Sequence, residues 1–203
     1  MPNLYNKYIL PRLLNRDMRS TEFNETRSKT VSPAQGIVLE IGFGSGFNLP
    51  FYKNTTKLYA LDPSRELFEY AKDRIKSSPF PVEYLQHSAE NIPLQDNSID
   101  AVVSTWTLCS IPDLTKALKE VRRVLKPGGK FLFVEHGRSP KKLNLILQTL
   151  VTPITKLYAG NCHLDRKIDD EIKNSGLRIE TIEMSSEDGR PLMYSYRGIA
   201  IQD

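Results

Sequence analysis

From Gly36 onward the chain alternates short apolar runs with amphipathic segments of helical length, and this alternation restricts the fold more than any other feature. The strand-like runs are Ile37–Ile41, Lys57–Leu61, Val82–Gln86, Ile99–Thr105 and Lys130–Glu135. Between them, Glu66–Ser77 follows the turn-like Asp62-Pro63-Ser64. Asp113–Leu125 carries Leu114, Ala117, Leu118, Val121 and Leu125 at helical spacing. Crossover-length connections join parallel strands, so the pattern predicts a mostly parallel sheet with helices on both faces. Two last runs, Leu177–Met184 and Met193–Ile201, lack a helix-length segment between them and are expected to pair antiparallel across the polar loop Ser185–Pro191. That makes seven strands of an α/β sheet closed by a C-terminal antiparallel hairpin, in a single domain over residues 1–203.

Two segments stand outside the alternation. Leu4–Leu14, within a helical extension over 1–35, puts Leu4, Tyr5, Tyr8, Ile9, Leu13 and Leu14 on one helical face, interrupted by Pro11. Leu143–Tyr158 repeats the pattern with Leu143, Ile146, Leu147, Leu150, Val151, Ile154, Leu157 and Tyr158, and Pro153 is expected to kink it. A helical cover over 140–160 would lie near the carboxyl ends of the strands, where open α/β sheets bind ligands. Its apolar face reads equally as core cover or as a lid over the substrate.

Composition narrows the function classes. A chain of 203 residues with 39% hydrophobic and 26% charged residues can bury its own core. The net charge of +4 is spread out rather than gathered into the basic stripe of a nucleic-acid binder, and only Arg122-Arg123 and Lys141-Lys142 are tight basic pairs. Cys109 and Cys162 form no Cys-x-x-Cys, and His87, His136 and His163 are scattered, which argues against a dedicated metal site. No signal peptide and no bilayer-length apolar run is present, so the expected compartment is the cytoplasm, with at most weak membrane-surface contact.

The chemistry begins where a buried strand runs into glycines: Val38-Leu39-Glu40-Ile41-Gly42-Phe43-Gly44-Ser45-Gly46-Phe47-Asn48. Glycines there let the backbone turn tightly and approach a ligand that a Cβ would block. The spacing is Gly-x-Gly-x-Gly, not the Gly-x-Gly-x-x-Gly of a pyrophosphate site. Glu40 precedes the first glycine by two; its carboxylate repels a pyrophosphate but suits a ligand with an ammonium and a sulfonium, such as S-adenosylmethionine (SAM). Asp62 ends the second strand about twenty residues on, where a carboxylate can accept both ribose hydroxyls; its alternative is a helix N-cap before Pro63. Ser88-Ala89-Glu90 follows the third strand, with a polar group for an adenine edge and Ala89 leaving room for the ring. Leu125-Lys126-Pro127-Gly128-Gly129-Lys130 reads as a type II turn that stops one helix and starts the fifth strand.

In this order and spacing the four segments resemble the class I SAM-dependent methyltransferases with their Rossmann-like fold, in particular the type 11 group, over Gly36 to Val134. Ser104-Thr105-Trp106-Thr107-Leu108-Cys109-Ser110-Ile111, Phe133-Val134-Glu135-His136-Gly137, Gly160-Asn161-Cys162-His163-Leu164 and Tyr194-Ser195-Tyr196-Arg197-Gly198 resemble a narrower set: small bacterial methyltransferases and eukaryotic methyltransferase-like proteins associated with alkyl-thiol methylation. The residues of this chain show no match to the N-terminal hydrophobic anchor of those eukaryotic members, so their membrane association is not expected to carry over. The resemblance implies that Glu40, Gly42, Gly44 and Gly46 line the methionine side of SAM. It implies that Asp62 takes the ribose with Ser64 beside it, that Ala89 and Glu90 flank the adenine, and that Thr105 and Trp106 sit near the sulfonium.

Methyl transfer from a sulfonium needs nucleophile, methyl and sulfur held in line in a water-poor pocket, more than acid–base machinery. A thiol acceptor reacts as thiolate. His136, at the end of the fifth strand, and His163, in a polar turn, are the candidate helpers; Cys109 is expected to be packed and inert. Thr105-Trp106-Thr107-Leu108 stands where exocyclic-amine methyltransferases carry an Asn/Asp-Pro-Pro-Tyr-like stretch, which argues against nucleic-acid amino methylation. The expected partner is a small, lipophilic acceptor, a thiol foremost, with C- or O-methylation of a quinone-like metabolite as the alternative. The readings from other classes are a non-catalytic SAM-binding module and a nicotinamide-dependent oxidoreductase.

Overall fold

Residues Gln35–Ile41 form β1 at the middle of the sheet, and each side chain's face follows from its parity. Leu39 and Ile41 pack into one apolar layer, Val38 into the other, and Glu40 shares the Val38 face. The structure is a computed structural model that describes residues 4–186, 190 and 192–203. The other strands are β2 (Asn54–Leu61), β3 (Val82–Leu85), β4 (Ile99–Thr105), β5 (Leu125–His136), β6 (Arg178–Ser186) and β7 (Tyr194–Ile201). Their order is β3-β2-β1-β4-β5-β7-β6. β1 to β5 are mutually parallel, β7 runs antiparallel to both neighbours, and β6 is thereby returned to the common direction. The expected seven-stranded Rossmann-like sheet with its closing hairpin is present; of the hairpin loop, Glu187–Gly189 and Pro191 lie outside the described residues.

The helices are α1 (Leu10–Asp17), α2 (Asn24–Val31), α3 (Arg65–Lys76), α4 (Leu114–Val124), α5 (Lys142–Tyr158) and α6 (Ile168–Asn174). A π-helical turn, Tyr5–Ile9, leads into α1. α3 and α4 start where side chains cap them: Ser64 Oγ accepts from Leu67 N–H and Asp113 from Lys116 N–H. Asp62 is therefore not the cap of α3. One layer packs Leu114, Leu118 and Val121 of α4 with Ile168 and Ile172 of α6 against the sheet. The other packs Val31 of α2 and Ala71 of α3 with Leu49 and Tyr52. α6 was not marked in the sequence, because seven residues carry too little periodicity. The expected turn holds at Gly128, whose φ of +75° is the left-handed value a type II turn requires, although pairing of β5 already begins at Leu125.

α5 corrects the reading of its apolar face. The helix forms over the expected span with Pro153 inside it, but its buried residues are Gln148 and Thr152. Leu143, Leu150, Ile154 and Leu157 point outward, Leu143 and Leu150 being 70% and 68% exposed. Gln148 explains the inversion. Its amide donates to the Gly137 and Leu192 carbonyls at 3.0 Å each and accepts from Ser139 N–H at 2.8 Å, tying the helix to the ends of β5 and β7 by its polar side.

Candidate active site

A cavity of about 520 Å³ opens at the carboxyl ends of β1, β2, β4 and β5. It lies where the strand order reverses between β1 and β4, the switch point at which open α/β sheets bind ligands. α1 and the C-terminal end of α5 roof it through Leu10, Pro11, Leu14, Thr155 and Ala159. Tyr5 Oη donates to the Tyr158 carbonyl at 2.7 Å, joining the two roof segments.

The three glycines of the loop have different reasons to be glycine. All have φ between +54° and +74°, backbone that L side chains rarely adopt. A Cβ on Gly42 would collide with Thr107, and one on Gly46 would press on Phe43 and Ala71, so these two serve close packing. A Cβ on Gly44 would meet only Gly42 O, at 3.8 Å, and would project into the cavity. The close-approach argument thus applies to Gly44. Gly46, expected at the methionine side, is not among the lining residues.

Glu40 is wholly buried on the face of β1 covered by α2 and residues 48–52. It accepts from Asn48 Nδ2 at 2.9 Å and Tyr52 Oη at 2.7 Å. Burial pushes its carboxyl up to about 8 despite those two bonds and nearby Arg27. Arg27 of α2, unmarked in the sequence, is also buried, and burial brings it down to about 10. Its guanidinium donates to the Met18 carbonyl at 2.8 Å and stands 5.4–5.6 Å from the rings of Phe23, Phe47 and Trp106, within cation–π range. Asp62 accepts from Gly44 N–H and Ser64 N–H, each at 2.8 Å, and so holds the glycine loop against the end of β2. Burial raises its carboxyl against those two bonds.

Ser64, Ala89 and Thr105 line the cavity; Thr105 Oγ1 accepts from Asn48 Nδ2 at 3.0 Å. Trp106 lines it from a left-handed backbone, φ +51°, a strained state for a bulky residue, and its buried Nε1 has no hydrogen-bond partner. Glu90, expected beside the adenine, is not a lining residue: its carboxylate accepts from Asp113 N–H at 2.7 Å and Ser88 Oγ at 2.8 Å, stapling the loop after β3 to the start of α4. Of the two candidate helpers, His136 faces the cavity and His163 does not; the latter's backbone N–H donates to the Cys109 carbonyl.

Sequence spacing argued against clustering of cysteine and histidine, yet folding gathers Cys109, His136 and Cys162 in the cavity wall. One ligand atom from each lies within 4.8 Å of the others, and the two sulfurs are 3.5 Å apart. Their shared hydrogen bond raises the Cys109 thiol and lowers that of Cys162. Glu135, wholly buried, accepts from Ser104 Oγ at 2.5 Å, and burial pushes it up to about 7. The packed cysteine expected at Cys109 is indeed buried, but it also lines the cavity. Arg27 was invisible as a site residue because it reaches the cavity from a segment without a motif, whereas Tyr52 touches the site only through Glu40 and Cys162 stands in a segment whose histidine alone had been singled out.

Residues 39–133 match the family described as "Methyltransferase domain". The chain is 30% identical over 184 residues to the rat (Rattus norvegicus) "Thiol S-methyltransferase TMT1B", covering 84% of this chain and 74% of that protein. It is 28% identical to the "Demethylmenaquinone methyltransferase" of Thermotoga maritima, covering 82% and 77% respectively. Among solved structures, geranyl diphosphate methyltransferase in complex with SAM superposes with a TM-score of 0.68 at 14% identity, covering 100% of this chain and 92% of that one. With the glycine loop, the two carboxyl groups and the switch-point cavity in place, the chain belongs to the class I SAM-dependent methyltransferases of the type 11 group.

Proposed function

We propose that this enzyme methylates a small lipophilic thiol. The observation that carries the reading is the stretch of cavity wall where apolar Leu164 and Met193 pack with Cys109 and Cys162 beside His136, with Leu14 and Ile111 lining the same cavity. A thiol enters such a lining with little desolvation cost, and its thiolate loses its charge as the methyl arrives. Similarity to the thiol S-methyltransferase supports the same acceptor.

The residues present fit SAM. Gly44 leaves its backbone bare to the cavity, Glu40 offers a carboxyl oriented by Asn48 and Tyr52, and buried Arg27 offers the matching cation. In this reading Glu40 would hold the ammonium, Arg27 the carboxylate, and Asp62 the ribose hydroxyls through the lone pairs left by its two backbone bonds. Ala89 would give room to the adenine. Bound SAM supplies an electrophilic methyl on a sulfonium. Thr105 and Trp106 then flank the transfer path, and α1 with α5 keeps water out, so that rate comes from alignment.

The acceptor's source is read from α5. Its exposed stripe of Leu143, Leu150, Ile154 and Leu157, flanked by exposed Lys141, Lys142 and Lys156, supports contact with an anionic lipid surface beside the roof of the cavity. No helix among the described residues is long and apolar enough to cross a membrane. Similarity to the demethylmenaquinone methyltransferase favours the second reading, C-methylation of a quinol ring in the same apolar space.

The deciding experiment measures S-adenosylhomocysteine release across alkyl thiols, phenols and quinols. Thiol turnover at least about tenfold above the others is expected, a difference of about 1.4 kcal/mol in the barrier. Turnover confined to quinols would replace the thiol reading. Asp62→Ala is expected to weaken SAM binding by about tenfold or more, from the loss of hydrogen bonds to a charged group.

A further inference from the structure

Three side chains that a metal ion can use converge on the cavity from separate parts of the chain. Cys109 sits in the 3-10 turn Leu108–Ser110 after β4, His136 ends β5, and Cys162 follows α5. Backbone and side-chain bonds hold the turns that carry them. His163 N–H donates to the Cys109 carbonyl at 2.8 Å, and Asn161 Nδ2 donates to the Ser110 carbonyl at 2.9 Å. Thr155 Oγ1 donates to the Cys162 carbonyl at 2.7 Å, and Arg166 donates to the Leu108 carbonyl at 2.5 Å. The cluster is thus built by its surroundings rather than brought together by chance on a surface.

Its dimensions fit one ion. Two thiolates sharing a tetrahedral Zn²⁺ at about 2.3 Å each stand about 3.8 Å apart. The sulfurs here are 3.5 Å apart, and all three ligand atoms fall within 4.8 Å of one another. A second observation points the same way: Glu135, adjacent to His136, is wholly buried with the Leu108 and Cys109 amides close by but no well-aligned bond to Oε2, a carboxyl that a nearby dication would further compensate. Two sulfurs and an imidazole select a borderline-soft cation over Mg²⁺ or Ca²⁺. Three protein ligands with a fourth direction open to a cavity is the pattern of catalytic rather than structural zinc.

We propose that Cys109, His136 and Cys162 bind Zn²⁺, and that its fourth position, facing the cavity, takes the sulfur of the thiol to be methylated. The second half rests on the thiol reading above. Coordination releases the thiol proton to solvent and leaves a zinc-bound thiolate. A sulfur lone pair forms the new S–C bond, and the methyl–sulfonium bond breaks with its electron pair going to the sulfur of S-adenosylhomocysteine. The product is a neutral thioether, a weaker ligand that can leave. No oxidant or reductant takes part.

The test uses the full chain, reduced and stripped of metal. Competition between the protein and a chromophoric chelator for Zn²⁺ is expected to give one ion per chain. Cys162→Ser and Cys109→Ser should each weaken binding by more than about 100-fold, since even partners outside the ligand set are worth about 10–100-fold. Retained SAM binding in these variants shows that they fold. With Co²⁺ in place of zinc, a sulfur-to-metal charge-transfer band is expected, and added alkyl thiol should shift the ligand-field bands. Binding no tighter in the wild type than in the double serine variant, or a cobalt spectrum without the sulfur band, overturns the site. An unchanged spectrum on adding thiol, or equal thiol turnover by stripped and loaded enzyme, overturns the acceptor role alone. An intact cobalt signature with no thiol methylated by either form sinks the thiol reading and leaves the metal site standing.

Discussion

Glu40 shows how one residue is set by the strand it belongs to. Two-residue alternation along β1 puts its carboxyl in the layer beneath α2, where water cannot solvate its charge. Unfolded, it titrates near the ordinary 4.5, whereas in the fold burial moves it to about 8. Between those values the folded chain holds a proton that the unfolded chain has released. Stability from this group is therefore full below about 4.5 and is lost as pH rises toward about 8. Glu135, pushed up to about 7, acts in the same direction. Thermal unfolding of the ligand-free protein between pH 5 and 8 is expected to fall more steeply for wild type than for Glu40→Gln, with Glu135 and Asp62, both also raised by burial, contributing to the slope that remains. Parallel curves would remove Glu40 from this account. The glycine loop and both carboxyl residues were legible in the sequence because each stands at a strand end with a recognisable spacing. Arg27 was not, since nothing in Asn24–Val31 hints that a guanidinium would lie among Phe23, Phe47 and Trp106.

At the scale of elements, α5 carries the main contrast. Periodicity located the helix correctly, but Gln148 turns the apolar stripe away from the core, because its three bonds to Gly137, Ser139 and Leu192 satisfy buried backbone groups that a leucine would leave unpaired. An apolar stripe flanked by lysines is suited to the headgroup boundary of a bilayer. Cosedimentation with vesicles containing phosphatidylserine is expected to retain wild-type protein and to lose Leu150→Glu, while both bind SAM equally. Equal retention of the two would mean that the stripe does not meet lipid.

For the whole molecule, the division of labour follows the core. Both apolar layers that hold the sheet are built from residues 31 onward, whereas α1 and the turn before it contribute a roof to the cavity and no member of those layers. A chain lacking residues 1–20 is accordingly expected to keep the circular dichroism of the folded sheet and to bind SAM more weakly. Intact protein at about 100 times the dissociation constant of SAM should gain about 2.7 kcal/mol, or a melting shift of roughly 5–10 °C for a chain of this size. The truncated chain should show a smaller shift at the same SAM concentration. Loss of the fold itself would show that the roof is part of the core.

The sequence by itself determined the alternation of strands and helices, the closing hairpin and the glycine loop that, with Glu40 and Asp62, lines the cavity. All three depend on local periodicity and on short spacings within one segment. Tertiary structure alone decided which face of α5 is buried, that Glu90 and His163 turn away from the cavity, and that Cys109, His136 and Cys162 meet. Those outcomes depend on contacts between segments distant along the chain, where hydrogen bonds such as those of Gln148 outweigh local pattern, and a one-dimensional spacing holds no record of them.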